Sequence, residues 1–252
     1  MARFDEYKDR FSHVRLERQE GILEVTLHRD GGPALWEGFE GGIHDQLGQA
    51  FRLISRDQET KVVILTGAGD AFCQAMDTSR GLQTITPEFW DRIYREGKDL
   101  LNNLLDIEVP VIGAVNGNAF LHAELVVLSD IVLAAEHARF ADKAHGIHGV
   151  VPGDGVHVVW PMQLGPNRGR HFLLTGAEID AHEAQRLGVV AEVLPTDKLR
   201  DRAWEIAREL AARPRLMLRY TRIALVQELK RRMLNDLGYG LALEGLAAMP
   251  QR

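Results

Sequence analysis

Three short runs of almost unbroken apolar residues, Val62 to Leu65, Val109 to Val115 and Ile131 to Ala135, are separated by segments with amphipathic helical spacing. A strand that alternates apolar and polar residues buries one face, but a strand that is apolar throughout must be covered on both. Helices crossing between parallel strands supply that cover. The chain therefore reads as an α/β fold with a parallel sheet and helices packed on it. The covering helices are legible too. Ile43, Leu47, Ala50, Phe51 and Ile54 recur at helical spacing over 43–56. The segment 87–106 opens with Thr86 as N-cap and Pro87 as first helical residue, and carries a stripe of Leu100, Leu101, Leu104 and Leu105.

Residues 13–18 and 21–28, rich in apolar and β-branched side chains around Gln19 and Glu20, predict a hairpin. The glycine-rich stretch HRDGGPALWEGFEGG then predicts a loop whose Trp36 and Phe39 could line a pocket. TGAGDAFCQAMD places a glycine-rich turn at the end of the strand 62–65, and a short helix near 122–128 leads into the strand 131–135. From about residue 196 the pattern is wholly helical, over 196–212, 214–229 and 230–247, with Pro214 at the first junction. There is no linker, low-complexity tract or internal repeat. The organisation expected is an α/β core over 1–195 and a helical region over 196–252.

Composition narrows the class. No apolar run approaches the ~20 residues of a membrane-spanning helix, and MARFDEYKDRFSHVRLER lacks the apolar core of a secretory signal. A single cysteine, Cys73, excludes an intramolecular disulfide and any multi-cysteine metal site. These features point to the cytoplasm and to no membrane association. The net charge of −6, with basic residues spread along helix faces (Arg213 to Arg222, Lys230 to Arg232), argues against a nucleic-acid partner.

In parallel sheets ligands lie beyond the carboxyl ends of the strands. The segments VNGNAFLHAELVVLSDIVLAAE and ARFADKAHGIHGVVPGDGVHVVW set His122, Glu124, His145, His148 and Asp154 among glycines and two strand-like apolar runs. Histidine exchanges protons near neutral pH, and a carboxylate on its other nitrogen fixes the tautomer. His145 and Asp154 are nine residues apart across GVVPGDG, a turn that can fold one back beside the other. His145-x-x-His148 with Asp154 could instead form a metal site, but Gly146 and Gly149 argue against the helix this spacing needs, and no metal is expected. Gly-x-Ser-x-Gly is absent, and Gly67 to Gly69 is only a fragment of a dinucleotide fingerprint, so no cofactor is expected either.

In order, LTGAGDAFCQAMD, PVIGAVNGNA, SDIVLAAEHARF and GVVPGDG resemble the landmarks of the crotonase superfamily, the enoyl-CoA hydratase/isomerase fold, over residues 21 to about 195. The resemblance implies repeated ββα units with parallel sheets, a helical C-terminal extension involved in trimerisation, and a homotrimer or dimer of trimers. The hydratase pattern is not kept where its chemistry lies. Phe120-Leu121-His122-Ala123 replaces the glycine run that carries one oxyanion donor, and Ala144-His145 stands in the region of the second glutamate.

Within the superfamily the chain is most similar to the β-diketone hydrolases of the 6-oxocamphor hydrolase type. The shared features are a loop Trp with a nearby His-Asp (Trp36, His44-Asp45), NNLL-x-IEVPVI from Asn102, and His122 in place of the glycines. They continue through Phe140-x-Asp142, His145, VPGDG-x-HVVWP with Asp154, LG-x-NRGR-x-FLLTG from Leu164, and Glu244. The resemblance implies hydrolysis of a carbon–carbon bond in a cyclic or linear β-diketone, a retro-Claisen cleavage without coenzyme A. It assigns His145, held by Asp154, as the base for water, and His122 as the donor to the enolate. Trp36, His44, Met76 and Glu244 would position the substrate or the water. The alternatives are an acyl-CoA-processing crotonase, such as an enoyl-CoA hydratase or isomerase, and a non-catalytic oligomeric binding protein on the same scaffold. Each residue also has a plainer reading: His44 as a helix cap, Glu244 as a surface residue, His157 as a packed histidine, Glu124 as a buried structural carboxylate.

Overall fold

The computed structural model describes residues 2–79, 81 and 84–249. After a single turn, α1 (Phe4–Tyr7), the expected hairpin forms from β1 (Val14–Gln19) and β2 (Ile22–Leu27), with Val14 opposite Leu27. The following stretch is not all loop, because Leu35–Trp36 forms a short strand, β3. Then come α2 (Ile43–Ile54), β4 (Val62–Gly67), β5 (Ala71–Cys73) and β6 (Ala75–Met76). Strands β3 and β6 pair in parallel and set Trp36 beside Met76. Helix α3 (Pro87–Leu105) starts as the sequence predicts, with the Thr86 hydroxyl accepting from the Phe89 amide at 3.1 Å. It is followed by β7 (Val111–Val115), β8 (Asn118–Ala119), α4 (Ala123–Val127), β9 (Ile131–Ala135) and β10 (Arg139–Phe140).

The VHVVW run, strand-like by its β-branched residues, is helical: α5 (Val156–Leu164) packs against α6 (Pro166–Thr175). Helix propensities of β-branched residues differ from good formers by only ~0.7 kcal/mol, and here packing overrides them. Val156, Val158, Val159 and Trp160 are all buried, with Trp160 against Phe172 at 4.4 Å between ring centroids. The chain continues through β11 (Ile179–Asp180), α7 (Ala181–Arg186), β12 (Glu192–Leu194), α8 (Thr196–Ala211), α9 (Arg215–Leu225) and α10 (Gln227–Ala248). The break between the last two helices falls at Val226, not at 229–230. No glycine or proline marks it, and Val226 itself keeps right-handed helical backbone angles.

The main sheet runs β1-β2-β4-β7-β9-β12 and is parallel from β2 onward. Strands β2 and β7 are buried along their whole length; β7 is apolar throughout, whereas β2 buries Glu24, which accepts from Trp204 Nε1 at 2.6 Å. A smaller sheet, β11-β10-β8-β5, lies beside it. Of the C-terminal helices, α8 packs on β4, β7 and β9, whereas α10 packs on α3 and α5. Helix α10 approaches the turn before α5 at backbone contact: a Cβ on Gly153 would fall 2.2 Å from the Gly240 carbonyl oxygen. Gly155, which caps α5, has φ of +106°, where a side chain is strained.

Cys73 is fully buried on β5, its thiol pushed up to about 12 by burial and then by the Glu124 charge. Its carbonyl accepts the amides of Phe120 and Leu121 at 2.9 and 3.1 Å. Among the described residues no helix is long and apolar enough to cross a membrane. Several large apolar side chains of α9 and α10 are nevertheless exposed, including Leu225, Leu234 and Leu246.

Candidate active site

A cavity of about 650 Å³ opens between the β3–β6 pair, the segment after β10, α3 and α10. Trp36, His44, Met76, His122, His145, Asp154 and Glu244, nominated from sequence across more than 200 positions, all line it. His148 stands exposed on the single 3-10 turn 146–148, at the cavity's rim. Phe39 lines the cavity as well.

His145 follows β10. Asp142 Oδ1 meets its Nδ1 at 2.7 Å and also accepts the Ala144 amide at 3.2 Å, so the local turn fixes the carboxylate that orients the ring. His145 Nε2 faces Asp154 Oδ2 at 3.3 Å and Glu244 Oε1 at 3.5 Å. His145 and Asp154 do meet, but on the opposite nitrogen from the orienting one. The same Asp154 oxygen lies 3.4 Å from His122 Nδ1, which Glu124 Oε1 approaches at 2.8 Å. Asp154 is thus shared by two histidines; His122 has one further carboxylate, Glu124, and His145 has two, Asp142 and Glu244.

His122 has φ of +50°, a left-handed conformation in which histidine is enriched. It aims the ring at Trp36, stacked 3.8 Å away between centroids. His44 meets the edge of Trp36 at 5.7 Å. It is not a cap: buried in the first turn of α2, it holds Glu96 Oε2 at 3.1 Å through Nδ1. Glu96 also accepts from Arg92 at 2.9 Å, and Arg92 donates to the Gly38 carbonyl at 2.8 Å. Glu244 is buried within its own chain, and half-buried His157 lies 3.2 Å from the Asp236 carbonyl oxygen.

Sequence reasoning gave no orienting role to Asp142, Glu124 or Glu96. The first two had a signal: each lies within three positions of its histidine. Glu96 had none, being brought to His44 by the packing of α3 on α2.

Burial opposes charge on His145, yet Asp154, Asp142 and Glu244 outweigh it and hold its pKa well above 6.5. His122 is raised in the same way, against burial, by Glu124 and Asp154. Burial would raise Asp154, but His145 and His122 hold it below its usual value. Glu244 is pushed up to about 7 by burial, with the Asp154 charge adding and the His145 contact opposing. Glu124 is also raised, chiefly by burial. Of these groups Glu244, near 7, is poised for proton exchange close to neutral pH, and the displaced affinities of the rest mark the cluster as a candidate catalytic site.

His122, Glu124 and Asp154, and separately His145, Asp154 and Glu244, bring potential metal ligands within 4.8 Å of one another. His148 belongs to neither group. Away from these clusters Glu37, Asp77 and Thr78 line one side of the cavity, and Phe39, Ile85, Phe89, Trp90, Ile93 and Leu241 supply an apolar wall. Among the described residues lining the cavity there is no lysine or arginine. The nearby Arg29 is engaged behind the wall, with Glu37 at 3.1 Å and Asp77 at 2.8 Å.

The sequence model of the enoyl-CoA hydratase/isomerase family matches residues 17–239. The 1,2-epoxyphenylacetyl-CoA isomerase of Escherichia coli (strain K12) is 31% identical over 81% of this chain and 76% of its own length. The carnitinyl-CoA dehydratase of Salmonella arizonae is 35% identical over 78% and 74%. Among solved structures, a β-diketone hydrolase from the cyanobacterium Anabaena sp. PCC 7120, bound to (S)-3-oxocyclohexyl acetic acid, superposes with a TM-score of 0.93 at 50% identity, covering 96% of each chain. An enoyl-CoA hydratase/isomerase from Mycobacterium paratuberculosis superposes with a TM-score of 0.88 at 27% identity, also over 96% of each.

Proposed function

The chain belongs to the enoyl-CoA hydratase/isomerase family and has its crotonase fold, and from that premise we propose that it hydrolyses a carbon–carbon bond of a β-diketone. The observation that carries this reading is Asp154 shared by His145 and His122 at one end of the cavity. Its similarity to the Anabaena β-diketone hydrolase over nearly the whole chain supports it.

In the proposed retro-Claisen reaction, the oxygen of water bonds to one carbonyl carbon and its proton passes to the His145–Asp154 pair. The bond to the carbon between the carbonyls then breaks, and its electron pair becomes the enolate of the second carbonyl. The proton taken from water returns to that carbon, giving a keto acid from a cyclic diketone or a ketone and a carboxylic acid from a linear one, so one water is consumed and no redox partner is needed. Asp142 holds Nδ1 of His145, leaving Nε2 to take the proton. His122, whose Nδ1 is occupied by Glu124 and Asp154, offers its Nε2 hydrogen to the enolate oxygen. Trp36, His44, Met76 and Glu244 position the diketone and the water. Assembly is proposed to be a homotrimer or dimer of trimers.

The coenzyme A relatives favour a second reading, an acyl-CoA-processing enzyme. One feature weighs against it: the Phe120 and Leu121 amides are committed to the Cys73 carbonyl. The test is to assay bicyclic and monocyclic 1,3-diketones and crotonyl-CoA in parallel, with wild type and Asp154→Asn. Diketone cleavage that falls at least a hundredfold in the variant upholds the hydrolase. Crotonyl-CoA hydration with inert diketones would replace it with the second reading. Hydrolysis through the His145–Asp154 pair needs no metal, so protein treated with EDTA is expected to retain its diketone activity; loss of activity restored by a divalent cation would assign the two clusters to a metal instead.

A further inference from the structure

We infer that the cavity contains an apolar subsite, walled by α3 and α10, which takes a hydrocarbon substituent of an uncharged diketone. This rests on the hydrolase reading and names the substrate class more narrowly. Allowing ~30 Å³ for each water-sized group, 650 Å³ holds about twenty such groups, whereas a bare six-membered cyclic diketone has about eight non-hydrogen atoms. On the side of α3 and α10 the remaining space is apolar. Phe89, Trp90 and Ile93 of α3 face Leu241 and Ala248 of α10 across it. On α10, Leu241, Glu244 and Ala248 recur at helical spacing, so the apolar wall continues on both sides of the carboxylate.

The wall is fixed rather than adaptable. The Trp90 Nε1–H donates to the Leu241 carbonyl at 2.9 Å, and the ring lies so close to α10 that a Cβ on Gly245 would fall 2.2 Å from Nε1. Ile93 is held against Gly38, where a Cβ would come within 3.1 Å of its Cδ1. A wall with these side chains and no described cation suits an aliphatic chain or fused carbocycle and disfavours a phosphorylated or carboxylated tail.

The experiment uses 2-methyl-2-alkylcyclohexane-1,3-diones with alkyl groups from methyl to octyl, whose quaternary carbon prevents enolisation between the carbonyls. Acid release at constant pH gives kcat/KM for wild type, Ile93→Trp and Ile93→Ala. The expected result is a rise of about two- to fourfold per methylene, levelling off once the subsite is filled. The length at which it levels should shorten in Ile93→Trp and lengthen in Ile93→Ala. Because each variant is judged by its own ratio of long to short substrates, a partial folding defect does not mimic the result. Turnover of the methyl compound with no dependence on chain length overturns the subsite and leaves the hydrolase standing. Should no diketone be cleaved, the hydrolase reading fails, and calorimetric affinities of the same series decide the subsite. Affinity that grows with length and is cut short in Ile93→Trp upholds it; flat or undetectable binding overturns it.

Discussion

Asp154 lies within 3.4 Å of two imidazoles at once, so a single charge acts on the proton affinity of both. Its removal in Asp154→Asn should therefore do two separable things. His145 must lose a proton to act as base, and its pKa is raised above 6.5 in part by Asp154. Wild-type kcat/KM should rise with pH along a limb displaced above the ordinary imidazole range. In the variant that limb should move to lower pH while the plateau falls by about 10²–10⁴. A limb that does not move would remove the His145–Asp154 pair from the water-activating role. His122→Ala should reduce kcat/KM by about 10²–10³, as loss of one oxyanion donor does, and steady-state kinetics on a simple diketone would show it. At this scale the sequence exposed the reactive side chains because histidines among glycines are conspicuous. It hid their orienters. Asp142 holds His145 through an Asx turn, and Glu96 reaches His44 only after two helices have packed.

Among the elements, the long strands were legible from uninterrupted apolar runs, and α3 from its cap and leucine stripe. The two-residue strands β3, β6, β8, β10 and β11 were not, because periodicity needs length; yet β3 and β6 deliver Trp36 and Met76 side by side. The backbone contact between Gly153 and Gly240 is what brings Glu244, ninety residues further along the chain than Asp154, to within 3.5 Å of His145. Gly240→Ala would place a Cβ 2.3 Å from the Gly153 carbonyl oxygen and 2.2 Å from His157 Cε1. The ring can turn aside; the carbonyl cannot without moving the turn that carries Asp154. The expected cost is about 1–3 kcal/mol by urea denaturation, with a loss of kcat/KM in the fraction that remains folded.

For the molecule as a whole, the apolar side chains left exposed on α9 and α10, Leu216, Tyr220, Leu225, Leu234, Tyr239 and Leu246 among them, form more surface than an isolated protomer needs. Sedimentation velocity at micromolar protein is expected to give three or six times 28.2 kDa, and a 28.2 kDa species alone would refute the assembly. The sequence carried the helical character of this region but not its two uses, since α8 covers the sheet while α10 enters the site. Burial of the lone cysteine adds a practical property. Thiolate is the form that alkylating agents attack, and Cys73 in the native state is both shielded and held protonated. Its modification by iodoacetamide must then wait for the core to open, which makes the rate of labelling a built-in clock for unfolding, readable by mass spectrometry without any engineered probe.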